Sequence, residues 1–273
     1  MGYFEWALGD WAQLGSSFLA ISLALLIVMA LAGWLPRFWW IPGAAAFVGL
    51  GALFTFVSPW LISPDTEPLR EPTLVESART FERDQGLDEI EIRVEQVSDE
   101  TSLANAYAAG FGPSRRVVLW DTLLYEFPED EVEVVLAHEL GHHSSEHILK
   151  GIAWYALFAV PGTYLLARFT RRRGGMGVPE SVPLALLVLT LLSLLAMPAE
   201  SWISRRMEAE ADWKALRSTD DPAAARGLFR GFAETSLSDP EPPTWVHVLL
   251  DSHPTLAQRV AMANAFERRE QAP

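Results

Sequence analysis

The stretch VVLAHELGH at residues 134–142 contains the pattern HExxH, with His138 and His142 four residues apart. Residues at this spacing share one face of a helix, so both imidazoles can reach a single zinc ion. Glu139 would project beside that ion, where a carboxylate is needed to accept a proton from the attacking water. The apolar residues before the motif indicate a buried helix, which we predict over residues 128–147.

A catalytic zinc keeps three protein ligands and one open position, so a third ligand must come from elsewhere in the chain. Because the sequence contains no cysteine, that ligand must be His, Asp or Glu. The segment SRRMEAEAD at residues 204–212 offers Glu208 and Glu210, and chemistry alone allows either. Glu208 shares a helical face with Asp212, whereas Glu210 lies on another face and is expected to be solvated.

The HExxH pattern is short, and it has a simpler interpretation. His143 and His147 follow it closely, so the histidines could form a polar patch at the end of a helix. The apolar residues that precede the motif argue against this alternative, because a patch exposed to water does not need a buried helix behind it.

Four apolar stretches approach the length of about 20 residues that a membrane-spanning helix needs. They cover residues 16–35, 39–62, 151–167 and 182–198. Tryptophans lie at or near their ends, as they do at membrane–water interfaces. The first two stretches predict a helical hairpin because only three residues separate them. Buried helices of a soluble protein are the alternative, mainly for the two shorter stretches.

Composition supports a chain divided between lipid and water. Half of the residues are hydrophobic, yet the formal net charge is −14. Between the two pairs of spans, residues 63–150 carry 20 acidic and 7 basic side chains. A protein this acidic is a poor candidate for binding nucleic acid, because the phosphate backbone attracts basic surfaces.

The acidic segment also contains patterns of smaller elements. Residues 73–85 predict an amphipathic helix that ends at a glycine. Residues 89–97 alternate apolar and charged side chains, as a half-buried strand does. Residues 106–111 and 116–120 predict two further strands around a Gly-Pro turn.

Four blocks of the sequence resemble, in order, the membrane zinc peptidases that include the type-1 CAAX prenyl proteases and the heat-shock protease HtpX. This is the gluzincin type of site, with HExxH and a distant glutamate. The similarity runs from about residue 63 to residue 265. The blocks are Asn105-Ala106-Tyr107 with residues 110–112 and 116–124, the HExxH helix, residues 204–212, and Ser252-His253-Pro254 with Arg259.

The resemblance implies a role for each matched polar residue. Glu208 would be the third zinc ligand, and Asp212 would orient a ligand histidine. Asn105 would lie at the cleft rim on an edge strand that pairs with the substrate backbone. His253 would help to stabilise the oxyanion, and Arg259 would support it and take part in substrate binding. Without the resemblance, Asn105 could be an ordinary turn residue and His253 could simply precede a helix.

These patterns together predict an α-helical integral membrane protein with an α+β zincin-like metallopeptidase domain and about four transmembrane helices. The expected parts are a transmembrane hairpin (1–62), a peptidase lobe with a small antiparallel sheet (63–150), a second transmembrane pair (151–203) and a C-terminal peptidase lobe (204–273). CAAX proteases of this kind have seven spans around a large chamber. Room for only four spans here is closer to HtpX and leaves prenylated substrates in question.

The predicted activity is zinc-dependent hydrolysis of peptide bonds in membrane-associated or misfolded proteins, with one Zn²⁺ per chain. The expected partners are a peptide or protein substrate and the lipid bilayer, without nucleic acid. A zinc-binding scaffold or chaperone without turnover is the first alternative, although a scaffold has no need of a base at Glu139. A transporter would place ionisable residues inside the spans, and only Glu200 comes near to that position.

The charge distribution and the resemblance disagree about orientation in the membrane. Arg37 and the arginines of residues 168–173 lie together at one side of the spans, which favours that side as cytoplasmic. Basic residues also flank the peptidase lobes, and the resemblance places those lobes in the cytoplasm. We follow the resemblance and expect a multi-pass protein of the cell membrane with cytoplasmic catalytic lobes.

Overall fold

A computed structural model of the protein describes residues 3–61, 66–237 and 239–271. Within these residues lie four strands, β1 (Glu67–Pro68), β2 (Glu91–Glu95), β3 (Ala106–Ala109) and β4 (Arg116–Trp120). The helices are α1 (Tyr3–Trp34), α2 (Trp40–Leu61), α3 (Pro72–Asp84), α4 (Asp121–Glu126), α5 (Glu129–Ser144), α6 (His147–Thr170), α7 (Val182–Thr219), α8 (Pro222–Thr235), α9 (Thr244–Leu249) and α10 (Leu256–Glu270).

The chain forms two compact units. One contains Met1–Leu53 and Ile152–Ala196, and the other contains Phe54–Gly151 and Met197–Pro273. The boundary that we predicted between residues 62 and 63 falls outside the described residues. Among the described residues, three helices are long and apolar enough to cross a membrane, namely α2, α6 with the turn after it, and α7 with the turn before it. In α1 the described apolar stretch is shorter and covers Ile21–Trp34.

The first unit buries its own small core. Trp39 and Met176 are almost completely buried there, and they pack with Val28, Ala32 and Ala185. Most other large side chains of its helices are exposed, including many leucines. Helices that expose apolar side chains in this way are suited to lipid rather than water.

The second unit is built around a four-stranded sheet in the order β1-β2-β4-β3. β1 pairs with β2 and β3 pairs with β4 in antiparallel fashion, but β2 and β4 run parallel. The prediction of an antiparallel sheet is therefore wrong for the central pair. β4 reads Arg-Val-Val-Leu-Trp, with Val117, Val118 and Leu119 all buried. Such a continuous apolar run is typical of a central strand covered on both faces.

The helix that carries HExxH packs against this sheet and ends earlier than predicted. α5 stops at Ser144, and Glu146 has a left-handed backbone with φ of 54° before α6 begins at His147. The N–H of Ser145 donates to the carbonyl of Gly141 and closes the last turn. The predicted amphipathic helix (α3) and the three predicted strands (β2, β3 and β4) are confirmed, with ends that shift by a few residues.

Candidate metal centre

The HExxH residues lie on a helix that is buried along most of its length. On α5, His138 and Glu139 are buried and His142 is half-buried. The neighbouring His143 is buried too, and its Nε2 lies 3.0 Å from the carbonyl oxygen of Arg116 on β4. This contact between α5 and the sheet gives His143 a structural role. His138 and His142 instead face α7.

A close helix contact brings the third acidic residue to the motif. A Cβ atom added at Gly141 would lie 3.2 Å from Cα and 3.3 Å from the carbonyl oxygen of Ala211 on α7. The missing side chain therefore lets α5 and α7 approach each other closely. Glu208 lies three residues before Ala211, about one helical turn away, and so reaches the imidazoles of α5.

Three side chains converge on one point. His138 Nε2 lies 3.1 Å from His142 Nε2 and 3.2 Å from Glu208 Oε2, and His142 Nε2 lies 3.5 Å from Glu208 Oε1. The three residues form a group able to hold a metal ion. Neighbouring ligands of a tetrahedral zinc at about 2.0–2.1 Å are roughly 3.3 Å apart. The donor set and its spacing therefore fit a zinc ion.

The charges around His138 also suit a cation. Burial lowers the pKa of His138, but the hydrogen bonds to Asp212 and Glu208 outweigh burial and raise it to about 10. Burial and the charge of His138 lower the pKa of His142 to about 3, so this imidazole is neutral. One positive charge is thus favoured at the place where the ligand atoms meet.

An ion pair between Asp212 and Arg259 contacts Nδ1 of His138. Asp212 Oδ1 is 2.9 Å from Nδ1 of His138, and the Arg259 guanidinium donates two hydrogen bonds to Asp212, of 2.8 and 2.5 Å. The guanidinium also lies 4.3 Å from the centre of the Phe229 ring. Arg259 thus contacts Asp212, whereas the resemblance led us to expect that it would support His253.

The sequence patterns did not predict that His147 contacts Nδ1 of His142. His147 is buried, and its Nδ1 lies 3.0 Å from Nδ1 of His142. Nε2 of His147 lies 3.3 Å from Glu210 Oε2. Glu210, which we expected to be solvated, is 48% exposed but also 3.7 Å from Lys150. The spacing of nine residues between His138 and His147 gave no clear signal, because a break between α5 and α6 turns His147 back to the site.

Glu139 lies beside the three converging residues, in a buried position. Burial raises the pKa of its carboxyl to about 7, with the charge of His138 opposing the increase. Its carboxylate accepts a hydrogen bond from the N–H of Ala108 on β3. A carboxyl with a pKa near neutrality can both accept and return a proton.

The remaining predicted residues lie at different distances from this centre. His253 Nε2 is 3.4 Å from Glu208 Oε2, and its side chain is 59% exposed. Asn105 is exposed and directly precedes β3, where its carbonyl accepts a hydrogen bond from Trp120. β3 is an edge strand of the described sheet. The structure therefore brings His253 into contact with the centre, while Asn105 makes no hydrogen bond to it among the described residues.

Comparison with known proteins identifies the family. The model of the family described as "Peptidase family M48" matches residues 77–267, which is most of the chain. The chain belongs to peptidase family M48. This confirms the resemblance of the four blocks, and membership of this metallopeptidase family implies a metal ion.

Individual known proteins are similar to the chain over different lengths. "Uncharacterized metalloprotease YhfN" from Bacillus subtilis is 28% identical over 98% of this chain and 66% of its own. "CAAX prenyl protease 1 homolog" from Oryza sativa subsp. japonica is 30% identical over 63% of this chain and 43% of its own. The chain therefore spans less than two thirds of the length of each of these two relatives.

A solved structure shares the fold of the chain. S. mikatae Ste24p superposes with a TM-score of 0.80 at 24% identity, covering 95% of this chain and 66% of Ste24p. The predicted fold class is confirmed by this likeness. The M48 chain is a mostly helical membrane protein with a small sheet beside its HExxH helix.

Proposed function

We propose that the protein is a membrane-embedded zinc endopeptidase with His138, His142 and Glu208 as the ligands of one zinc ion per chain. The observation that carries this proposal is the convergence of the three ligand atoms beside the buried carboxyl of Glu139. When bound, zinc supplies a Lewis acid that polarises a peptide carbonyl and lowers the pKa of a water molecule.

Glu139 is the general base of the proposed reaction. Its carboxylate takes a proton from the attacking water and then passes that proton to the leaving amine. The pKa of about 7 places the carboxyl near the middle of its titration at neutral pH. The hydrogen bond from Ala108 holds the carboxylate towards the edge of the sheet.

The edge strand β3 is the place where the proposal positions a substrate. An extended peptide can add to an exposed sheet edge through main-chain hydrogen bonds. Asn105 lies at the start of β3, and we assign it to the rim of the binding cleft. A peptide on this edge would lie beside Glu139, because Ala108 of the same strand contacts that carboxyl.

His253 and Asp212 complete the proposed site. His253 lies on the exposed side of Glu208, where its Nε2 can donate to a developing oxyanion. Asp212 orients His138 through Nδ1, and we now assign Arg259 to holding Asp212 rather than to binding substrate. His253→Ala should lower kcat with zinc content unchanged, and a loss of thermal stability alone would make His253 structural.

The natural substrates that we propose are membrane-associated or misfolded proteins, and the proposed location is the cell membrane with the peptidase side in the cytoplasm. The orientation can be measured because the chain has no native cysteine. A single cysteine at the exposed Tyr125 should react with a membrane-impermeant maleimide only after cells are opened. Labelling in intact cells would show that the peptidase side faces away from the cytoplasm.

Turnover by a Glu139→Gln variant tests the proposed activity. The amide keeps the shape of the side chain but cannot accept a proton, so cleavage of a quenched peptide should fall at least about 100-fold. Zinc content should stay at the wild-type level. Glu129→Gln is the matched control, since it changes an exposed glutamate in the first turn of the same helix. Cleavage at the wild-type rate by Glu139→Gln would exclude Glu139 as the base.

A further inference from the structure

Helix α9 exposes apolar side chains and turns a polar one inward, the opposite of a helix on the surface of a water-soluble protein. Its large exposed side chains are apolar: Trp245 is 64% exposed, and Val248 and Leu249 are exposed too. Leu250, directly after the helix, is 56% exposed. The polar His247 instead turns inward, with Nδ1 3.1 Å from Asp251 Oδ2. A helix that packs on a protein in water buries its apolar face and exposes its polar one.

The attachment of α9 places this apolar surface next to a membrane-spanning helix. Arg205 on α7 donates to the carbonyls of His247 and Asp251 at 2.8 and 2.7 Å, and Ser201 donates to the carbonyl of Leu249 at 3.3 Å. Residues 182–199 of α7 carry no charged side chain. The contacts therefore lie just beyond the apolar part of α7, where a spanning helix enters the headgroup region.

The residues of α7 at this level have the chemistry of a membrane interface. Trp202 is exposed, and the guanidinium of Arg206 lies 5.4 Å from the centre of its ring. Tryptophan is enriched at headgroup level, and arginine places its charge there while its stem covers apolar surface. The exposed apolar side chains of α9 continue this interface on the same unit.

We propose that α9 and Leu250 are an interfacial anchor that inserts its exposed apolar side chains into the lipid headgroup–acyl boundary. Amphipathic segments of this kind bury an apolar face about 5–10 Å into that boundary. His253 follows Leu250 by three residues and lies beside Glu208. The anchor thus holds His253 at the metal centre, a consequence that rests on the proposed function.

Single-site labelling tests the anchor independently of activity. In the cysteine-free chain, Val248→Cys carries an environment-sensitive fluorophore, and Leu250→Cys provides a second site if the first variant does not fold. Tyr125→Cys is the matched control, because Tyr125 is a large exposed side chain of α4 in the same unit. The labelled full-length protein is reconstituted into phosphatidylcholine nanodiscs, with either a lipid-bound spin-label quencher or aqueous iodide.

If α9 is an interfacial anchor, the labels at residues 248 and 125 should respond to different quenchers. The label at residue 248 should be quenched by the lipid-bound spin label and protected from iodide, and the label at residue 125 should behave in the opposite way. Quenching at residue 248 by iodide alone would overturn the proposal. Protection from both quenchers would also overturn it, because protein, such as a second copy of the chain, would then cover α9.

A kinetic experiment tests the consequence for His253. Val248→Ser/Leu250→Ser should lose kcat in nanodiscs, with KM and zinc content unchanged, because the His253 segment loses its anchor. An unchanged kcat would remove this consequence. If the wild-type protein cleaves no peptide, the proposed function fails, while the quenching result still decides whether α9 contacts lipid.

Discussion

At the scale of single residues, Glu208 and Glu210 differ in what they face. Glu208 Oε2 lies 3.2 Å from His138 Nε2, whereas Glu210 contacts His147 and Lys150 at the exposed edge. Glu208→Ala should therefore reduce zinc affinity far more than Glu210→Ala, measured by competition with a chromogenic chelator. A larger loss for Glu210→Ala would mean that the ligand assignment must be reversed.

The protonation of His138 predicts how zinc binding depends on pH. The pKa of His138 is raised to about 10, so the imidazole holds a proton that must leave before Nε2 can bind zinc. His142 is already neutral. Zinc affinity should therefore increase with pH below about 10, by about tenfold per pH unit for one released proton.

Calorimetry in buffers of different ionisation enthalpy measures this proton. At about pH 8, most Glu139 carboxyls are ionised, so the expected release is about one proton per zinc. Asp212→Asn is the control: without the carboxylate charge the pKa of His138 falls, and less than one proton should be released. If wild-type binding releases no proton, His138 is not the protonated ligand described here.

Sequence and structure agree best for residues whose spacing lies within one helix. The four-residue spacing predicts a shared helical face for His138 and His142, and another for Glu208 and Asp212, whereas the choice of Glu208 as the third ligand rests on the family resemblance. His147 could not be predicted, since its position depends on the left-handed backbone at Glu146. The contact of Arg259 with Asp212 depends on how α10 packs, which no local pattern contains.

At the scale of elements, the contact between α5 and α7 decides whether the site forms. Gly141→Val would place methyl groups against the backbone of Ala211, 3.2 Å from the new Cβ. Overpacking of this kind typically costs about 1–3 kcal/mol. The variant should melt at a lower temperature and bind zinc more weakly, because α7 carries Glu208 away from α5.

The control for this change is Gly151→Val on α6. A Cβ at Gly151 meets no described atom within 4 Å outside its own helix, so stability and zinc affinity should change little. Unaltered zinc affinity in Gly141→Val would show that the close approach of α5 and α7 is not required for the site.

Some elements were missed although their sequence contains signals for them. Asp221 caps α8 by accepting from the N–H groups of Ala223 and Ala224, and Pro222 follows it at the first helical position. Thr255 and Gln258 form a capping box at the start of α10. The parallel pairing of β2 with β4 has no such local signal. Strand order depends on contacts between residues distant in sequence, so local alternation does not predict it.

At the scale of the whole molecule, composition predicted the separation into apolar and charged parts. A chain that is half hydrophobic and also carries a net charge of −14 is expected to divide its residues between apolar spans and charged lobes. The exposed leucines of α7 agree with this expectation.

The central claim is that His138 and His142 hold one zinc ion for peptide hydrolysis, and metal content tests it most directly. The purified wild-type protein should contain about one zinc per chain by inductively coupled plasma mass spectrometry. His138→Ala/His142→Ala should contain almost none, because a single remaining carboxylate cannot hold a catalytic zinc. Zinc at the wild-type level in the double variant would contradict the account.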